Sequence, residues 1–130
     1  PNLACRCFTH STETILWAKK NDKKSRHFFN YEKMKEENGG KQMKDVWTGA
    51  LTKPSEKTEG KHPTQKPEYL LERIVLASTE EGQVILDPFC GSGTTGVEAL
   101  RLGRKFIGVD VSEEYLQISK RRLEKTANDK

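Results

Sequence analysis

The chain is poor in what would stabilise a small secreted or metal-built fold. It has only three cysteines in 130 residues, Cys5, Cys7 and Cys90. An odd count cannot close a disulfide framework, and Cys5 and Cys7 are too close together for a zinc knuckle. No second Cys/His pair completes one, so no metal site is expected. Long apolar runs are also missing. No segment is long enough to span a bilayer, and the N-terminus has no signal-peptide pattern. Reduced thiols in a soluble cytoplasmic protein are therefore expected, with no membrane partner. Hydrophobic residues make up 33% and charged residues 32%, so the surface is polar and the core modest. There is no internal repeat and no initiator Met before Pro1, which suggests a fragment or a processed product.

What is present is unevenly distributed. Residues 19–61 hold twelve bases against seven acids, a local excess of five positive charges. The whole chain carries +4, so the rest is slightly acidic. A basic segment with Phe28, Phe29, Tyr31 and Trp47 scattered through it is the footprint of a phosphate-backbone contact, or else a solvated loop of mixed charge. Lys23, Lys24, Arg26, Lys41 and Lys44 are the candidate contacts. Part of this stretch is expected to be flexible.

Periodicity places the elements. Glu13–Ala18 is β-branched and apolar enough for a strand. Lys61–Pro67 is an extended, proline-punctuated lead-in. Leu70, Leu71, Ile74, Val75 and Ser78 then recur at helical spacing. Gln83–Asp87 reads as a buried parallel strand, Thr94–Leu102 as a helix stopped by Gly103, and Lys105–Val109 as a second strand. Ser112 caps a last helix running to about Lys125. This is an α/β pattern with three strands, fewer than a covered parallel sheet normally has, so the chain looks like part of a larger domain.

Between the first of these parallel strands and its helix lies Asp87-Pro-Phe-Cys-Gly-Ser-Gly-Thr-Thr-Gly96. Glycines at positions one, three and six match the dinucleotide pattern, and Asp110, 23 residues after Asp87, ends the next strand where an acid can hold ribose hydroxyls. An NAD-binding oxidoreductase module is one reading. Asp87 argues against it, because a carboxylate beside a pyrophosphate is unfavourable. The same carboxylate suits S-adenosylmethionine, whose methionine end carries an ammonium and which has no phosphate.

Three motifs then carry a family resemblance. Asp87–Thr95 resembles motif I of the amino-group DNA methyltransferases, which act on adenine N6 or cytosine N4. His62-Pro-Thr-Gln-Lys-Pro67, followed by Leu70 and Leu71, resembles their motif X. Phe106-Ile-Gly-Val-Asp110 resembles motif II. The order and gaps are those of the family, over roughly residues 61–125. Glu13–Trp17 resembles the strand that precedes the target-recognition region in the β-class. The resemblance implies a Rossmann-like methyltransferase fold, three-layered with a mostly parallel sheet and incomplete in this chain. Residues 1–18 would add a strand, 19–60 would recognise the target, and 61–130 would bind the cofactor.

It also implies S-adenosylmethionine as cofactor, with Thr64, Lys66, Asp87, Phe89, Gly91, Gly93 and Thr94 around it and Asp110 on the ribose. His62 is expected to be structural. Cys90 sits at a variable position, since a nucleophilic cysteine belongs to the cytosine-C5 enzymes. The family's Asp/Asn/Ser-Pro-Pro-aromatic loop, which accepts the target amine's hydrogen bonds and stacks on the flipped base, does not occur. No catalytic residue is therefore expected on this chain. Duplex DNA, an upstream part bearing that loop, and a second copy are the implied partners, in a cytoplasm of prokaryotic or phage type. The implied function is site-specific DNA methylation, adenine N6 before cytosine N4, in a restriction-modification setting. A non-catalytic cofactor- or DNA-binding fragment remains the alternative.

Overall fold

A computed structural model describes residues 6–20 and 26–129. The expected Lys23 and Lys24 contacts, like Cys5, lie outside the described residues. The elements are α1 (Tyr31–Glu37), a 3₁₀ turn at Pro54–Lys57, α2 (Glu68–Ser78), β1 (Val84–Asp87), α3 (Thr94–Arg101), β2 (Lys105–Gly108) and α4 (Glu113–Asn128).

β1 and β2 pair in parallel, with Leu86 opposite Ile107 and Asp87 opposite Gly108. α3 connects them and lies on one face of the pair. Its Val97 and Ala99 are buried against the strands and the flanking helices. Gly96 allows this close approach, since a Cβ there would overlap the Phe106 ring. α2 and α4 pack on either side of α3. The helix and strand positions from α2 onward match the periodicity, although α4 runs three residues further than expected.

Two features differ from expectation. Glu13–Ala18 forms no strand; among the described residues the sheet has two strands. A strand exists only through its ladder with a neighbour, and this segment pairs with neither edge of the two-stranded sheet. Ile15, Leu16 and Trp17 are accordingly at least half exposed. Conversely, α1 forms inside a stretch read as polar loop. Asn30 caps it through the Lys33 N–H (3.3 Å), Met34 is buried, and the Asn30 N–H donates to the Ala77 carbonyl at the end of α2 (2.9 Å). The Asn cap before Tyr31–Glu37, with Gly39 and Gly40 after it, was a readable signal.

Contrary to the expected buried strand at Gln83–Asp87, the other face of the sheet is bare among the described residues. Val84, Leu86, Ile107 and Val109 are 51–63% exposed. Parallel sheets are normally covered on both faces. This is therefore two layers of a Rossmann-like three-layer fold, with the outer helix layer absent from the described residues.

Candidate cofactor site

The site is built where the two strands end. Past their last pair, the Val109 N–H donates to the Asp87 carbonyl and the Cys90 N–H to the Val109 carbonyl, both at 2.9 Å. The loop leaving β1 is thus tied to the chain leaving β2. Ligands of open α/β sheets bind at this carboxyl end of the strands.

Two carboxylates stand there, each held by the loop it serves. Asp87 Oδ1 accepts the Phe89 N–H (3.0 Å), and Oδ2 accepts the Thr95 hydroxyl from the first turn of α3 (2.7 Å). Asp110 Oδ1 accepts the Ser112 N–H (2.9 Å), and Oδ2 accepts the Gly91 N–H (2.8 Å). These backbone donors, Ser112 first and then Gly91, hold the Asp110 carboxyl below its ordinary value. Asp110 is therefore a firm anion at neutral pH. The Cys90 thiol is pushed the other way by burial, and then by Asp87 and Asp110. It stays protonated, which argues against a nucleophilic role.

The glycines serve the protein's own packing. Gly91 (φ +51°) and Gly93 (φ +77°) both occupy the left-handed region. A Cβ on Gly91 would come 3.0 Å from His62 Nε2, and one on Gly93 would run into the Ser119 hydroxyl. The close approach that requires glycine here is to His62 and Ser119. His62 is fixed in turn: its Nδ1 accepts the Thr64 N–H (3.3 Å), and its ring packs edge-on to Tyr115, 4.2 Å between centroids.

The expected cofactor residues divide into three groups. Asp87, Gly91, Gly93 and Asp110 converge at the strand ends, and Phe89 stands beside them, 86% exposed. Thr94 belongs to the same loop but turns inward, its hydroxyl accepting from the Arg122 guanidinium (3.0 Å). Thr64 and Lys66 lie on the exposed outer side of the lead-in to α2, and the Lys66 ammonium is taken by Glu13 (2.6 Å). The residue of that segment which touches the loop is Gln65: it is buried, and its Oε1 accepts the Ser92 hydroxyl (3.1 Å). Gln65 lacked any local signal, because only the path of the lead-in turns it inward.

The donor set discriminates between ligands. The first loop amide, Gly91 N–H, is occupied by Asp110 and is not directed at a phosphate. Two carboxylates, Asp87 and Asp110, stand at the strand ends. A pyrophosphate would meet repulsion there, whereas an ammonium and ribose hydroxyls would find acceptors. The residues present therefore fit S-adenosylmethionine better than a dinucleotide.

A second cluster forms away from this loop. Lys41 and Lys44 line a cleft of about 400 Å³ with Asn38, Trp47 and Arg73. The Arg73 guanidinium sits 5.0 Å from the Trp47 ring centroid, and the indole N–H donates to the Lys44 carbonyl (2.7 Å). Arg73 comes from α2, outside the segment read as basic, so sequence alone did not connect it. Arg26 is exposed elsewhere on the surface.

Comparison with known proteins agrees with the loop. A family model described as DNA methylase matches residues 1–121. The chain belongs to that family. It is 76% identical over 127 residues to the Type II methyltransferase M2.LlaDCHI of Lactococcus lactis subsp. cremoris, covering 98% of the chain and 47% of the relative. It is 75% identical over 124 residues to M2.DpnII of Streptococcus pneumoniae, covering 95% of the chain and 46% of the relative. It thus spans about half the length of these curated relatives. Among solved structures, the M1.HpyAVI–SAM complex is 45% identical over 49% of the chain and 33% of that protein, with a TM-score of 0.46.

Proposed function

We propose that this chain is the C-terminal portion of a β-class DNA methyltransferase that uses S-adenosylmethionine to methylate an exocyclic amine in duplex DNA. Adenine N6 is the favoured target, with cytosine N4 as the alternative. The observation that carries the reading is the Asp87–Asp110 pair at the strand ends of a chain matched almost throughout by the DNA methylase family. The relatives named as Type II methyltransferases support a restriction-modification setting.

The cofactor would supply an electrophilic sulfonium methyl. The chain's own residues bind and orient. Asp87 offers its carboxylate to the ammonium of the methionine end. Asp110 offers its carboxylate to the ribose hydroxyls. Phe89 adds apolar surface beside them. The lead-in around His62–Pro67 packs against the loop and limits its movement.

No Asp/Asn/Ser-Pro-Pro-aromatic tetrapeptide occurs in the sequence. The groups that present the target amine would then come from a separate segment, and these 130 residues alone would bind without turnover. Residues 19–60 would contact DNA, with Lys41, Lys44, Trp47 and Arg73 forming a cationic, aromatic-backed cleft suited to a phosphate chain.

The test has two arms. Calorimetry should show binding of S-adenosylmethionine and none of NAD; tight NAD binding would overturn the reading. Methyl transfer to duplex DNA should require a separate segment that bears the Asp/Asn/Ser-Pro-Pro-aromatic loop. Turnover by residues 1–130 alone would refute the assignment of catalysis to that segment.

A further inference from the structure

Arg122 is 5% exposed and lies on α4, remote in sequence from the loop it touches. Its Nη1 donates to the Ser92 carbonyl (2.8 Å), the Ser92 hydroxyl (3.3 Å) and the Thr94 hydroxyl (3.0 Å). Its Nη2 donates to Glu68 Oε1 (2.9 Å), and Glu68 Oε2 is held by Arg101 at 2.5 Å. The Ser92 hydroxyl passes the chain on to Gln65, whose Nε2 donates to the Glu56 carbonyl (2.7 Å). Glu56 Oε2 in turn accepts the Glu68 N–H (2.9 Å). One buried guanidinium thus joins α4, the glycine loop and the start of α2.

We propose that Arg122 is a positioning residue for cofactor binding, setting the path of the glycine loop through the Ser92 carbonyl. The inference rests on the S-adenosylmethionine reading. Capturing that carbonyl orients the Ser92–Gly93 peptide plane, whose N–H donates to the Cys90 carbonyl (2.8 Å). That plane in turn sets the left-handed turn at Gly93 and the start of α3. Gly91, two residues back, holds Asp110 through its N–H. A displaced Ser92 therefore disturbs the carboxylate that faces the ribose, although Arg122 itself does not reach the opening. Only a planar fork of several donors serves loop and Glu68 together; a lysine ammonium is a single point of charge.

The experiment uses the chain together with a segment that supplies the catalytic loop, and compares R122Q, R122K and E68Q with the wild type. In ligand-free protein, R122Q should speed hydrogen exchange at the Gly91–Thr95 amides by about tenfold or more, with smaller changes in α1. The Kd and KM for S-adenosylmethionine should rise about tenfold, and kcat at saturating cofactor should stay within about threefold. R122K should recover part of the affinity. Loop exchange and cofactor Kd both at wild-type values would overturn the proposal. So would exchange accelerated evenly across the chain with kcat falling as much as affinity, because that describes a merely structural arginine. Should R122Q not fold, E68Q decides: it removes the charge that fixes the guanidinium beside Ser92, so loop exchange should quicken and the cofactor Kd should rise, and both at wild-type values count against the proposal. Should the wild type bind no S-adenosylmethionine, the cofactor reading fails, and the exchange arm still decides whether Arg122 sets the loop.

Discussion

The two ends of the chain differ in where their side chains find partners. In residues 61–129 the polar groups meet one another: Asp110 holds Gly91 and Ser112, Gln65 holds Ser92, and Arg122 holds the loop and Glu68. In residues 6–20, Phe8, Leu16 and Trp17 stay largely in solvent. A Trp17 cluster with His27 and Phe29, both ring pairs at 5.3 Å, is the main order near them. The cofactor part carries its own cross-links. The N-terminal part instead leaves large apolar side chains in solvent.

That contrast can be broken most sharply at Gly93. G93A forces a side chain into left-handed backbone against the Ser119 hydroxyl. It should cost about 3 kcal/mol or more, read as a lowered denaturation midpoint. A matched change in the N-terminal part, L16A, should cost less than about 0.5 kcal/mol, because Leu16 is exposed. Equal costs would erase the contrast.

Next in size is Asp110. D110N keeps the shape but weakens the acceptor for Gly91 and Ser112 and, on the proposed reading, for the ribose. Affinity for S-adenosylmethionine should fall about 100-fold in calorimetry, in line with losing a charged hydrogen-bond acceptor. A change under threefold would remove Asp110 from the site.

Glu98 tests the buried network behind the loop. Burial lifts its carboxyl from 4.5 to about 7, against the opposing pull of Arg101 at 2.7 Å. The fold therefore binds this proton more tightly than the unfolded chain does. The stabilisation is fully present below about pH 4.5 and is lost as the pH rises towards 7. E98Q stays neutral throughout. Relative to wild type, it should gain on the order of 2 kcal/mol in stability between pH 5 and pH 8. A pH-independent difference would refute the shift.

The smallest effect belongs to the basic cleft. K41A/K44A should weaken duplex binding several-fold at moderate salt and reduce the salt slope by roughly two, without changing cofactor affinity. An unchanged slope would place DNA elsewhere.

The legible part of the chain was the part whose structure is local. Asp87, the glycines and the helix start at Thr94 occupy one short stretch, and strand, turn and helix periodicities locate them without reference to the rest. α1 was legible in principle from Asn30 and Gly39 but was masked by its polar composition. Glu13–Ala18 forms no strand here, because apolar alternation reports what a segment could pair with and not that it does pair.

The sequence by itself determined a strand–glycine loop–helix unit with acids at both strand ends, because those features follow from neighbours within a few residues. The tertiary structure decided which residues hold that unit. Gln65 and Arg122 meet at Ser92 across 27 and 30 residues, and Arg73 meets Trp47 across a helix boundary. Hydrogen bonds and ring contacts of that kind depend on how helices pack on a sheet, and no local periodicity records it.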